Sequence, residues 1–500
     1  MPAKLSLPRI CVALGFRQPE ELHQHAARLL DNGESFLEVR LDYLPDPAAG
    51  IAVIHELTER NPGVRVLATC RREPNHGFFR GPVEQQVAIL GDAIRAGAQC
   101  VDLEIESAEV DPAGAAVLRR TARLIVSYHN FESTPAMPQV LRRVSKIPAD
   151  VYKIVTTARK HSDNLRVLAL LKEKAAVPLV VMAMGEIGFP SRVLSPARSG
   201  LYTYAAPDSH EGTAPGQVTS HQLRNLYRLE KLTRGAKVYG VIADPVRHSI
   251  SPQVHNRAFQ SKRLDAVYLP LLVPAPQLRD FVQFARELPL AGFSVTTPHK
   301  QRILRYLDYV EPMARRLGAV NTVWRKAGKW RGANTDAAAV TGPLSRRLTL
   351  AKARILVAGT GGAARSAAAA LVECGAQVSL TGRSAEHVAQ LVRASGATPL
   401  SRQDAEAGSF DAVIHATTVG MFPHGDGCFF ERRIPADLVF DMVYNPLETA
   451  LLRRAREEGK TIITGLEMFI EQAVQQFEIW TGDSAPRPAM EKAALEALGA

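Results

Sequence analysis

The chain has 500 residues, too long for a single hydrophobic core, so two or three domains are expected. Hydrophobic residues make up 46% and charged residues 22%, an ordinary globular balance, and no apolar run reaches the roughly 18–20 residues needed to span a bilayer. The formal charge is +11, but the lysines and arginines are scattered without interleaved aromatics, which argues against nucleic acid and for a basic surface with some arginines gathered around anionic small molecules.

The amino terminus, MPAKLSLPRICVALGF, passes almost at once into a strand-like run. It shows no signal-peptide pattern. Eight such runs then alternate with helical patterns: RICVALG (9–15), FLEVRL (36–41), VRVLATC (64–70), CVDLEIE (100–106), RLIVSYH (123–129), VYKIVT (151–156), PLVVMAM (178–184) and LYTYA (201–205). The intervening segments, such as EELHQHAARLLDNG, carry apolar residues at helical spacing and a Gly near the end. Eight β/α units in about 220 residues predict a (β/α)8 barrel, with SHQLRNLYRLEKL (220–232) as its closing helix. A new β/α series starts at KVYGVIADP, so the boundary falls in TRGAK (233–237). A second boundary lies near residues 336–350, before a strand, a Gly-rich turn and a helix. The five cysteines (Cys11, Cys70, Cys100, Cys374, Cys428) are widely spaced with no CxxC, which fits a reducing cytoplasm and neither a disulfide framework nor a metal site. Nothing in the sequence speaks to the oligomeric state.

In a (β/α)8 barrel, chemistry sits at the carboxyl ends of the strands. Polar residues cluster there: Glu38 and Arg40 on the second strand, Arg71 after the third, Asp102 and Glu104 on the fourth, His129 on the fifth and Lys153 on the sixth. Arg192 lies in the loop after the seventh strand, and Gln217 follows the eighth in the loop TAPGQ. Singly, each has an ordinary structural explanation, such as a salt bridge or a lysine snorkelling to the rim. Together they aim charge at one mouth. Burial disfavours a charged lysine, and a neutral amine can attack a ketone to form a Schiff base. Imidazole suits a proton shuttle, and guanidinium groups suit an anionic substrate. The residues alone therefore predict a Schiff-base lyase acting on a hydroxylated keto acid, with a generic Schiff-base aldolase as the alternative.

EVRLD (38–42), VDLEIE (101–106), SYHNF (127–131), KIV (153–155), MAMG (182–185), GFPSR (188–192) and APGQ (214–217) run in the order of a known family. This half resembles type I 3-dehydroquinate dehydratase. The resemblance implies that Lys153 forms an imine with the C3 ketone of 3-dehydroquinate and that His129 is acid and base. Glu38, Arg40, Arg71 and Arg192 would contact the substrate's carboxylate and hydroxyls, Thr213 would also bind it, and Gln217 would close over it. The family usually has Glu where Asn75 stands and Ser where Thr213 stands.

In the second half, VAGTGGAARS reads Gly359-x-Gly361-x-x-Ala364 between a strand and an Ala-rich helix, a dinucleotide-binding fingerprint. At the end of the next strand, VSLTGRS places Arg383 and Ser384 where an NAD site carries a carboxylate. A cation there favours the 2′-phosphate of NADP, and Arg365 could add to the clamp. Upstream, HSISPQVHN (248–256), SVTTPHK (294–300) and AVNT…GANTD hold uncharged donors with one lysine and one aspartate, Lys300 and Asp336. That inventory fits holding a polyol and moving one proton, although such a pair is in the ordinary case a surface ion pair worth under about 1 kcal/mol.

These motifs, with HATTVGM (415–421), DMVYNPLETALL (441–452) and GLEMFIEQAVQQFEIWTG (465–482), resemble shikimate dehydrogenase. The whole chain thus resembles the bifunctional 3-dehydroquinate dehydratase/shikimate dehydrogenases. The resemblance implies a dehydratase barrel over 1–235, a substrate-binding part over 236–340 and 480–500, and a Rossmann-type NADP-binding domain over 341–479. It implies that Ser249, Ser251 and Tyr444 hold the substrate carboxylate and that Thr296, Asn321 and Gln472 bind hydroxyls. Lys300 and Asp336 would be the catalytic pair. Gly359, Gly361, Gly362, Ala363, Ala364, Arg365, Arg383, Ser384, Thr417 and Gly465 would bind NADPH. Ala337, Gly382 and His415 depart from the family's motifs. Two alternatives stay open: a quinate/shikimate dehydrogenase half using NAD, and a non-catalytic sensor of the same metabolites.

Overall fold

The computed structural model describes residues 7–208, 212–422, 425–430 and 432–499. The chain divides into two compact units. The first runs to Lys237 and takes in Asp265–Pro289; the second comprises Val238–Leu264 and the chain from Leu290 on.

The first unit is built on β1 (Ile10–Leu14), β2 (Phe36–Arg40), β3 (Arg65–Thr69), β4 (Cys100–Glu104), β5 (Arg123–His129), β6 (Val151–Thr157), β7 (Leu179–Met184) and β8 (Thr203–Ala205). They form one parallel sheet in the order β7-β6-β5-β4-β3-β2-β1-β8. Leu201 N donates to Leu179 O at 2.8 Å, which brings the last strand back to β7 and closes the barrel. The strands are nearly unbroken runs of buried residues, as a sheet covered on both faces requires. Helices start where the sequence supplies caps. Asp46 accepts from Ala48 N ahead of Pro47–Arg60, and Asp111 from Gly114 N ahead of Pro112–Thr121, each with proline in the first turn.

Side chains alternate in and out along each strand. Inward positions form an apolar floor that includes Cys11, Phe36, Leu67, Cys100, Ile125, Val151, Val180 and Tyr202. Two residues further along the same strands come Glu38, Asp102, Ser127, Lys153 and Tyr204, so the polar layer rests on packed hydrocarbon.

Two expected details differ. The segment 220–232 is not a regular helix: Gln222–Leu226 winds as a π-helix and Leu229–Lys231 as a 3-10 turn. Arg228 between them is left-handed at φ 51°, and Arg224 is held by both carboxylate oxygens of Glu34 at 2.8 and 3.1 Å. Arg192 lies on the helix Phe189–Ala197 and not in a loop.

In the second unit, β9 (Lys237–Ala243) pairs in parallel with Gly292–Val295, which pairs antiparallel with Thr322–Lys326 and, through it, with Lys329–Ala333. Downstream lies a six-stranded parallel sheet. Arg354–Ala358 is flanked by Gln377–Thr381 on one side and Phe410–His415 on the other, the doubly wound arrangement of a Rossmann fold. The fold class expected from the sequence is the one observed.

Candidate active sites

Lys153 sits mid-strand on β6 and is only 4% exposed. Its Nζ lies 2.9 Å from Asp102 Oδ2, 2.9 Å from the Tyr204 hydroxyl and 3.8 Å from Glu38 Oε1. Asp102 Oδ1 accepts from Ser127 Oγ at 2.6 Å and Arg71 Nη2 at 2.9 Å. Burial alone would raise the Asp102 carboxyl. The charges of Lys153 and Arg71, with hydrogen bonds from Ser127 and Lys153, outweigh burial and hold it below the usual carboxylate range.

Arg71 Nη1 lies 2.7 Å from the His129 imidazole. Nη1 is equally close to both ring nitrogens, and a guanidinium only donates, so this approach favours the neutral ring over the imidazolium. Burial first, then the positive charges of Arg71 and Lys153, push the His129 pKa well below the ordinary imidazole value. The shift favours the neutral ring, the form that can accept a proton.

Glu38, Arg40, Arg71, His129, Lys153, Arg192, Thr213 and Gln217 all line one cavity at the barrel mouth. Arg40 is held charged by Asp42, which it grips at 2.9 and 2.8 Å. Arg192 is different. It is fully buried, donates to Pro215 O at 3.0 Å, and its Nε has no partner. No carboxylate pairs with it among the described residues, and burial pushes its pKa down to about 10. A guanidinium in that state is suited to an anionic partner. Thr213 and Gln217 bond each other at 3.3 Å on the loop that carries Pro215.

Asn75 donates to Glu104 Oε1 at 3.4 Å, and Glu104 also takes Arg72 N and Gln86 Nε2. Glu104 therefore anchors a loop. Three polar or aromatic groups at the site were given no role by sequence reasoning. Asp102 was legible as a charge at the mouth, Tyr204 looked like ordinary strand filling, and His76 carried no signal, although its ring packs at a tilt against Phe131 with centroids 4.0 Å apart.

In the second unit, Lys300 Nζ lies 2.6 Å from Asp336 Oδ2. Asn321 Nδ2 donates to Asp336 Oδ1 at 2.8 Å, and Gln476 Nε2 donates to Asn321 O at 3.3 Å. The Lys300 side chain is 28% exposed and that of Asp336 11%, so this is not a surface ion pair. Ser249, Ser251, Thr296, Asn321, Tyr444 and Gln472 line the same cavity, and so do Ala363 and Gly465.

The chain from 10 to 234 matches the family model for type I 3-dehydroquinase. Residues 241–323 match the shikimate dehydrogenase substrate binding domain, and 465–495 the shikimate 5'-dehydrogenase C-terminal domain. A bifunctional 3-dehydroquinate dehydratase/shikimate dehydrogenase of Arabidopsis thaliana chloroplasts is 35% identical over 91% of this chain and 79% of its own length. This chain belongs to that bifunctional family.

Single-activity relatives agree for the second half of this dehydratase/dehydrogenase. An NADP(+) shikimate dehydrogenase of Bacillus cereus is 37% identical over 53% of this chain and 99% of its own. A crystal structure of shikimate dehydrogenase in complex with NADP+ superposes with a TM-score of 0.51 at 32% identity, covering 53% of this chain and 97% of its own. That of Aquifex aeolicus gives 0.50 at 32%, covering 52% and 98%.

The residues of this family member fit a dinucleotide. Gly359 has φ 132°, and a Cβ there would fall 2.5 Å from Ala416 O. Gly361 and Gly362 open onto free space at the start of the helix Gly362–Glu373, whose amide groups suit a pyrophosphate. Ala364 is fully buried where that helix meets the sheet. Arg383 is exposed and Arg365 partly so. The Ser384 hydroxyl accepts from His387 N at 3.3 Å and so caps the next helix. The Thr417 hydroxyl meets His415 Nε2 and accepts from Val419 N, while His415 Nδ1 meets Asp441 Oδ1 at 2.9 Å. No group of three or more potential metal ligands is found among the described residues, and no helix there is long and apolar enough to cross a membrane.

Proposed function

We propose that this bifunctional enzyme dehydrates 3-dehydroquinate at Lys153 and reduces the product, 3-dehydroshikimate, to shikimate at Lys300 and Asp336. The domain division is 1–235 for the dehydratase, 236–340 with 480–500 for substrate binding, and 341–479 for NADP. Arg192 takes the substrate carboxylate, because among the described residues it is a buried cation with no carboxylate partner. Lys153 Nζ, once deprotonated, adds to the C3 carbonyl carbon, and the carbonyl oxygen leaves as water. The resulting imine draws electrons from the neighbouring carbon. His129, neutral and held by Arg71, removes the proton there and returns one to the departing hydroxyl. Water then hydrolyses the imine.

In the second unit, Ser249, Ser251 and Tyr444 take the carboxylate, and Thr296, Asn321 and Gln472 the hydroxyls. NADPH, when bound, supplies the hydride. Lys300, oriented by Asp336, delivers the proton to the C3 oxygen. General acid help of this kind contributes roughly 10²–10⁴-fold. Arg383 favours the 2′-phosphate and so NADP over NAD. Five free cysteines, three of them buried, suit a reducing compartment such as the cytoplasm, and the ligands are small metabolites, not nucleic acid.

The observation that carries this reading is the buried Lys153 amine facing a cavity that also holds an imidazole and a buried guanidinium with no carboxylate partner among the described residues. A coupled assay tests it: 3-dehydroquinate and NADPH are mixed with the enzyme and the nicotinamide absorbance is followed. Absorbance falls if both halves turn over; a flat trace with 3-dehydroquinate but a fall with 3-dehydroshikimate removes the dehydratase assignment.

A further inference from the structure

Only an unprotonated nitrogen can attack a ketone, and Lys153 is ion-paired with Asp102. The proton must go somewhere. Asp102 is a poor destination, because Ser127 and Arg71 both donate to its Oδ1 and go on stabilising the ionised carboxylate after Lys153 has lost its charge. Glu38 lies 3.8 Å from Nζ, too far for a direct hydrogen bond. Tyr204 bridges that gap. Its hydroxyl is 2.9 Å from Nζ and 3.3 Å from Glu38 Oε1. A phenol accepts and donates at once.

We propose that Tyr204 is a catalytic proton conduit, taking a proton from Lys153 Nζ as it hands its own to Glu38. The ammonium and carboxylate become amine and carboxylic acid, with no net charge created, and the path reverses when the imine is hydrolysed. Burial, reinforced by the Glu38 charge, pushes the Tyr204 phenol well above its ordinary pKa. A free phenolate is therefore not an intermediate, and the two protons move together. The proposal rests on the reading of Lys153 as the imine-forming amine. Tyr204→Phe isolates the oxygen, since it keeps the ring whose centroid lies 4.4 Å from Nζ.

The test is rapid-quench borohydride trapping of 3-dehydroquinate, with mass spectrometry of the peptide carrying Lys153, in mixtures of light and heavy water. In the wild type, the trapping rate should depend quadratically on the deuterium fraction, as two moving protons require. In Tyr204→Phe the same peptide should be trapped at least roughly tenfold more slowly, a conservative share of what acid–base help supplies, and the quadratic dependence should vanish. A rate within twofold of wild type with unchanged deuterium dependence overturns the conduit. Wild-type enzyme that traps no adduct on Lys153 overturns the imine reading instead. Should Tyr204→Phe not fold, 3-fluorotyrosine placed at 204 keeps the shape and acidifies the phenol; an unaltered trapping rate and isotope dependence there also refutes the conduit.

Discussion

The two active sites are built by opposite means. In the barrel, the groups around the reactive amine are strand residues whose inward direction follows from the alternation of the sheet. Lys153, Asp102, Glu38 and Tyr204 sit on four different strands, yet their polar atoms meet within hydrogen-bond or ion-pair distance. In the second unit, Lys300 follows a strand by a short turn, Asp336 lies in the first turn of a helix, and Gln472 comes from a helix far down the chain. The barrel amine is 4% exposed, whereas the Lys300 side chain is 28% exposed. Chemistry accounts for the contrast. Covalent catalysis needs a desolvated nucleophile whose proton is managed by fixed neighbours, so the barrel supplies a closed network. The dehydrogenase takes its reducing power from a bound dinucleotide, so its own residues need chiefly to hold and to move one proton.

That contrast can be broken by mutation. Lys153→Ala should reduce dehydration to background while leaving reduction of 3-dehydroshikimate by NADPH intact, as separate steady-state assays would show. If both reactions stopped in a folded protein, the division into two sites would be wrong. Lys300→Ala should do the reverse, lowering hydride transfer roughly 10²–10⁴-fold without touching dehydration. Arg383→Ala should sharpen the account of cofactor choice. Losing a charge-assisted contact of about 1.5–3 kcal/mol would narrow the ratio of kcat/KM for NADPH over NADH by at least roughly tenfold, and an unchanged ratio would remove Arg383 from the argument.

The smallest effect concerns pH. His129 has an ordinary imidazole pKa in the unfolded chain, about 6.5, and one well below it in the fold. Below about pH 6.5 the unfolded state binds the extra proton, so barrel stability should fall as pH drops, by at most about 1.4 kcal/mol per pH unit from this group. His129→Gln should flatten that dependence. Hydrogen exchange of the β5 and β6 amides can follow it, since all three tryptophans lie in the other unit and report on that one.

Much of this was legible beforehand, for particular reasons. Lys153 stood out because an ammonium in VYKIVT contradicts its apolar neighbours. Gly359-x-Gly361 stood out because a strand precedes it and an Ala-rich helix follows. Ser384 and Thr417 were less legible. Each is a hydroxyl in the expected place, but one caps a helix and the other is engaged by His415, and side-chain hydroxyls find such local partners whenever the backbone offers them. Arg192 was placed correctly at the mouth but on the wrong kind of element, because the prolines in GFPSRVLSPA mask a helix. The segment 220–232 has helical spacing, yet winds irregularly where Arg228 turns left-handed.

Sequence alone settled what repeats along the chain: eight buried strands, the glycine turn, and the residue types aimed at each mouth. Those follow from periodicity and from the cost of burying charge, both of which are local. Only the tertiary structure decided which charges neutralise which. The carboxylate beside Lys153, the guanidinium against His129, the lack of a carboxylate at Arg192 among the described residues and the hydroxyl joining Lys153 to Glu38 all depend on contacts between segments up to 166 residues apart. Electrostatic interactions depend on distance through space, and no spacing along the chain reports it.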